Sequence, residues 1–216
     1  MKISAVVAAV GLALALVVAL VAMATPAVPS AIELDAATFK VDRVHSSIVF
    51  KIRHNGVSNF YGRFNEFAGT FTFDPDDLAA ASFDISVDAT SIDTGNANRD
   101  KHLRSGDFFN VGDFGKISFK STDVSKGSKE GPYEMTGELT MLGETKTVTV
   151  PLDWFGTVES ERMGVLGGFE AVFTIKRSDF GMNYGIEHGA LGDEVTLIVA
   201  LEGKKLRPTP EDSASE

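Results

Sequence analysis

Four histidines, His45, His54, His102 and His188, are the side chains of this chain best suited to hold a metal or move a proton near neutral pH. His45 and His54 stand nine positions apart, an odd interval, so on one regular strand they face opposite sides and cannot chelate together without a bulge. His102 and His188 fall on separate segments, and an isolated histidine is more often a hydrogen-bonded structural residue than a ligand. The sequence therefore assigns no metal ligands and no catalytic residues. An enzyme using His45, His54 and His102, metal-dependent or otherwise, is kept as the second reading. Serine chemistry fares worse: in Gly56-Val57-Ser58-Asn59-Phe60, Phe60 occupies the glycine position that a nucleophile elbow requires. Asp74-Pro75-Asp76-Asp77 lacks the alternating oxygen ligands and final glutamate of a calcium loop and reads as a turn. Phosphate loops, dinucleotide fingerprints and His-Glu-x-x-His helices are absent from the sequence, as is cysteine, which removes disulfides, thiolates and lipidation at cysteine.

The elements that would position any site follow a period of two. The apolar sets are Ile48, Phe50 and Ile52; Phe67, Phe71 and Phe73; Phe83, Ile85, Val87 and Ala89; then Ile117 and Phe119. Tyr133, Met135, Leu139 and Met141 follow, then Val148, Val150, Leu152 and Trp154, then Phe169, Ala171, Phe173 and Ile175, and last Val195, Leu197, Val199 and Leu201. These eight segments, each polar on its other face and joined mainly by short turns, predict an all-β, eight-stranded antiparallel up-and-down barrel rather than βαβ units. One short helix is expected over Asn96–Ser105 in the connection from the third to the fourth strand, stopped by Gly106 and covering a barrel end. Arg177 and Asp179 read as a pair that locks the fold.

Composition bounds the partners. With 20 basic against 30 acidic side chains, the net charge of −10 repels nucleic acid and anionic lipid headgroups. Lys2 precedes an uncharged run from Ala5 to Ala24, and Ala22-Met23-Ala24 with Pro26 close behind reads as a signal peptide over residues 1–24. The alternative is an uncleaved anchor, since the run is long enough to cross a bilayer. Either way the rest of the chain is expected in the periplasm or outside the cell. Cleavage leaves 19 basic and 30 acidic side chains, a net −11, with no stable membrane insertion. Residues 25–37 read as a linker, 38–203 as the barrel and 204–216 as a charged, proline-interrupted disordered tail.

The chain has 16 Phe and one Trp, and most fall on the inward parity. Such a lining suits a long apolar ligand, yet inward phenylalanines equally fill a closed barrel, so composition leaves hollow and filled barrels open. A filled barrel would be an interaction module.

Several motifs together resemble the YceI-like family: Val41-Asp42-Arg43-Val44-His45-Ser46-Ser47 running into Ile48-Val49-Phe50-Lys51-Ile52-Arg53-His54, then Gly62-Arg63-Phe64. The likeness continues through Ser91-Ile92-Asp93-Thr94-Gly95-Asn96, the stretch from Arg99 to Phe109, Gly168-Phe169-Glu170-Ala171 and Arg177-Ser178-Asp179-Phe180-Gly181-Met182. Gly115 departs from it, where the family more often has proline. The resemblance implies a lipocalin-like barrel that holds a polyisoprenoid, such as a polyprenyl phosphate or quinone tail, without a cofactor. Phe50, Ile52, Phe67, Phe71, Phe73, Phe83, Phe119, Met135, Trp154 and Phe173 are then expected to line the cavity. His54, Arg99, His102 and Arg104 are candidates for the lipid head group; the two arginines could instead pair with Asp93, Asp100 or Asp107. Pairing of two barrels into a homodimer is left open.

Overall fold

A computed structural model describes residues 37–127 and 133–206. The export segment, the linker up to residue 36 and residues 207–216 of the tail lie outside them. The strands are β1 (Thr38–Val41), β2 (Ser47–His54), β3 (Ser58–Phe64), β4 (Phe67–Thr72), β5 (Ser82–Asp88), β6 (Ile92–Asp93), β7 (Lys116–Ser125), β8 (Tyr133–Met141), β9 (Glu144–Ser160), β10 (Gly164–Lys176) and β11 (Leu191–Lys205). Helix α1 spans Ala97–Leu103. Neighbouring strands pair antiparallel, and pairing of β1 with β11 closes the eight-membered ring β1-β4-β5-β7-β8-β9-β10-β11.

Eleven strands replace the eight read from the sequence because the first three staves of the barrel are each broken in two. β1 and β2 both lie along β11, with Phe39 opposite Lys205 and Ile48 opposite Val199. β3 and β4 form the next stave, β6 and β5 the third. The breaks have local causes. Asp42 turns its carboxylate onto the Val44 N–H at 2.9 Å, and Asp88 does the same to the Thr90 N–H at 2.8 Å, so each aspartate folds the chain into a one-turn 3-10 helix instead of extending the strand. β2 and β3 meet at Asn55-Gly56, both at positive φ (49° and 68°), the conformation of a two-residue hairpin turn. The up-and-down order of the staves survives these interruptions.

Two boundaries move. β11 continues through Lys204 and Lys205, which pair with Lys40 and Phe39, so the barrel runs past residue 203 into the expected tail. The helix starts at its predicted cap, Asn96, whose side chain accepts the Asn98 and Arg99 N–H groups, but it ends at Leu103. Arg104 is the C-cap in right-handed conformation, so Gly106 is not the stop.

The inward parity divides into two zones. At the β1 end, Phe39, Phe71, Phe83, Phe169 and Leu152 are at most 2% exposed; Phe39 stacks on Phe71 at 5.1 Å, Phe71 meets Phe169 edge-on at 5.1 Å, and Phe73 lies tilted against Trp154 at 4.8 Å. Gly203 makes room for this plug, since a Cβ there would sit 2.6 Å from Phe71 Cε1. Toward the other end, Phe50, Ile52, Phe119, Phe173, Leu197 and Val199 face inward yet keep residual exposure. A side chain that points into a barrel and is still accessible faces a void. The barrel is therefore filled at one end and hollow at the other. Outside, threonine hydroxyls pair across strands, Thr136 with Thr149 at 2.9 Å and Thr140 with Thr145 at 2.8 Å.

Candidate functional site

The hollow end encloses a cavity of about 500 Å³, walled mainly by aliphatic and aromatic side chains of β2, β3, β5, β7, β8, β10 and β11 and by Leu103, Phe108 and Phe109 after the helix. Its opening is located by the lining residues that are exposed: His54 and Ser58 flanking the β2–β3 turn, Arg99 on α1, and Tyr184 on the loop before β11, 48% exposed. Those polar groups concentrate at the mouth.

Of the residues expected to line the cavity, Phe50, Ile52, Phe83, Phe119, Met135 and Phe173 do so. Phe67, Phe71, Phe73 and Trp154 do not; they belong to the packed core. Parity could not separate them, because a plug residue and a cavity residue share the inward face and differ only in their height along the axis. Phe60, Leu197 and Val199 line the cavity as well, the last two on the inward parity of the final strand. Phe108 and Phe109, in an irregular connection, had no periodicity to reveal them.

The four head-group candidates separate likewise. His54 and Arg99 reach the mouth. Arg99 lies 4.3 Å over the Phe60 ring and donates to Thr94 Oγ1 at 2.8 Å and to the Thr94 carbonyl at 2.7 Å. His102 also lines the cavity, its Nε2 2.8 Å from Asp107 Oδ2 and its ring edge-on to Phe108 and Tyr184 at 5.0 Å. Arg104 does not line it. Its guanidinium donates to the carbonyls of Thr90 at 2.6 Å and Ile92 at 2.8 Å, fastening the helix end to the rim. Both arginines thus anchor on carbonyls of the 90–94 segment rather than on aspartates. Asp100 instead is buried and accepts from the Thr94 N–H at 2.9 Å and from the Thr94 hydroxyl.

The three-histidine alternative is not assembled. His54 and His102 reach the cavity, whereas His45, in the one-turn helix before β2, sits beside Asp42 and Glu202 and does not line it. His45 Nδ1 is 2.8 Å from Asp42 Oδ2 and 3.7 Å from Glu202 Oε1, which ties the break between β1 and β2 to β11. Ser46 Oγ adds bonds to the carbonyls of Asp42 and Glu202. Glu202 was invisible to spacing, since it comes from the far end of the chain.

Hydrogen bonding to Asp42 raises the His45 pKa above its ordinary value, and the same bond lowers that of Asp42. The histidine part of this stabilisation is complete below the unfolded imidazole pKa, about 6.5, and is lost as pH rises through the raised folded value. The aspartate part is present above about pH 4 and is lost as pH falls through the lowered folded value. A His45→Gln variant is therefore expected to lose part of the wild-type decline in thermal midpoint above neutral pH; identical pH profiles would show that the contact contributes nothing.

Arg177, read as the partner of Asp179, is held differently. It is 2% exposed, and its guanidinium donates to the carbonyls of Gly192 at 2.8 Å, Met182 at 3.0 Å and Tyr184 at 2.8 Å. Burial lowers its pKa, and the nearby Asp193, which accepts from Ser178, opposes that shift. One buried arginine thereby shapes the loop that supplies Tyr184 to the mouth.

Residues 39–203 match the model of the YceI-like domain. A UPF0312 protein of Pseudomonas paraeruginosa is 41% identical over 170 residues, covering 78% of this chain and 87% of its own length. Protein YceI of Escherichia coli O157:H7 matches with the same identity and coverage. Among solved structures, Burkholderia cenocepacia BcnA superposes with a TM-score of 0.68 at 26% identity, covering 75% of this chain and 98% of that one. A polyisoprenoid binding domain from Saccharophagus degradans shares the fold at a TM-score of 0.60 and 14% identity, covering 79% and 99%. With the family model matched over most of the described chain and relatives 41% identical over 87% of their own length, the protein belongs to the YceI-like family.

Proposed function

We propose that this protein binds a polyisoprenoid lipid in the hollow half of its barrel and carries or stores it outside the cytoplasm, without catalysing a reaction on it. The observation that carries this reading is the one-ended cavity of about 500 Å³, mainly apolar in its lining, closed below by the aromatic plug and with its exposed polar groups at the mouth. Burying each CH2 of a tail is worth about 0.8 kcal/mol, so a branched hydrocarbon gains affinity without a polar recognition site deep in the wall. His54, Ser58, Arg99 and His102 lie where a head group would emerge, and they suit a phosphate or a quinone oxygen. A barrel of the same fold is a polyisoprenoid binding domain in Saccharophagus degradans, so the architecture admits such a chain. The export pattern of residues 1–24 supports a place in the periplasm or beyond.

The thermal midpoint tests this. At about 100 times its Kd, a C40 quinone or a polyprenyl phosphate is expected to stabilise the barrel by about 2.7 kcal/mol. For a domain of this size that is a rise of about 5–10 °C. An unchanged midpoint with both lipids overturns the proposal.

A further inference from the structure

The charge of this protein is distributed unevenly. From Arg43 to Asn65 the chain contains four basic side chains, Arg43, Lys51, Arg53 and Arg63, and no acid, although the whole chain carries −10. This acid-free segment is the β2–β3 hairpin, and its turn stands at the cavity mouth, where the Asn55 N–H bonds the Ala190 carbonyl at 2.9 Å. At the tip Val57 is 84% exposed. On the outer face, Tyr61 is 53% exposed and pairs in register with Lys51. Arg43 and Arg63 have acidic partners, Glu66 and Asp93, but Lys51, Arg53 and the exposed Lys101 of α1 form no ion pair among the described residues. The acids at this end are partly spent: Asp100 is buried on Thr94 and Asp107 engages His102, while Asp179, Glu187 and Glu194 stay exposed.

We propose that the mouth of the barrel docks on an anionic lipid surface through the β2–β3 hairpin, with Val57 entering the interface and Lys51, Arg53 and Lys101 meeting the headgroups. An apolar tip, an interfacial tyrosine and unpaired cations are the combination such a surface attracts. The orientation presents the cavity to the membrane, so a lipid tail could pass between them with little exposure to water; that purpose rests on the carrier reading, whereas the docking itself does not. A second exposed apolar patch, on β9, gives a contrast. Phe155 and Val158 on β9 are 65% and 61% exposed, but Asp153 and Glu159 stand beside them on the same strand, a setting an anionic surface repels.

Cosedimentation of the protein with phosphatidylglycerol vesicles and with phosphatidylcholine vesicles decides the matter. Each basic side chain near an anionic surface is worth about fivefold in partitioning. Binding is expected to phosphatidylglycerol only, to weaken as salt rises, and to fall at least about 25-fold in the Lys51→Glu, Arg53→Glu double variant. Val57→Asp is expected to lose it as well. The quinone-induced midpoint shift in detergent should persist in both variants, since none of these side chains lines the cavity. Absence of phosphatidylglycerol binding, equal binding to both vesicles, or binding unaffected by the charge reversal overturns docking. Docking with no midpoint shift overturns the carrier reading instead.

Discussion

Replacing Arg177 by methionine is expected to lower the thermal midpoint by about 10 °C, a loss of about 3–5 kcal/mol. The guanidinium satisfies carbonyls of Met182, Tyr184, Leu191 and Gly192, drawn from one loop and the start of β11. A thioether of similar length keeps the packing but donates nothing, so those carbonyls lose their partners in a setting with little water, each at a cost of about 1–3 kcal/mol when nothing replaces the bond. Lysine should rescue only partly, because a single ammonium cannot reproduce the planar fork. The loop carries Tyr184, so weaker protection of amides 182–191 against hydrogen exchange is expected alongside the lower midpoint. A methionine variant with an unchanged midpoint would mean that Arg177 is not what holds the mouth together.

Leu197→Trp is expected to weaken isoprenoid binding more than tenfold while leaving the ligand-free barrel as stable as before. Leu197 points inward from β11, opposite Phe50 of β2 and Phe173 of β10, and retains exposure because it faces the void. An indole there occupies space that a ligand needs. In a packed core the same enlargement would cost about 1–3 kcal/mol through overpacking, so tolerance of the tryptophan is itself a test of hollowness. Titration with a C40 quinone and a thermal scan without ligand measure the two effects. A strongly destabilised variant would show that the middle of the barrel is packed, and unchanged affinity would place the ligand elsewhere.

The barrel was legible because every stave carries at least one clean stretch of alternation, as in Phe83-Asp84-Ile85-Ser86-Val87. What stayed hidden were the halves of staves without it. β3 has Gly62 at an inward position, where a side chain would collide with Phe50, so its apolar period looks interrupted even though Asn55-Gly56 signals a hairpin. β1 and β6 are four and two residues long, too short for a period to register. The site was legible in part. Parity finds inward residues, but the division into plug and cavity depends on which rings share a level around the axis, such as Phe39, Phe71 and Phe169, and on glycines such as Gly203 that let them meet. Arg104 was misplaced for a related reason: the turn after Leu103 decides whether the side chain swings to the mouth or to the Thr90 and Ile92 carbonyls.

The central claim, that the hollow half of the barrel holds an isoprenoid chain, is tested most directly by native mass spectrometry of the protein purified from bacterial envelope without detergent. The expected spectrum contains, beside the bare chain, one adduct whose mass fits a polyprenyl phosphate or an isoprenoid quinone, and Leu197→Trp should remove it. A spectrum of bare protein alone, from material that also takes up neither lipid when offered, would contradict the claim.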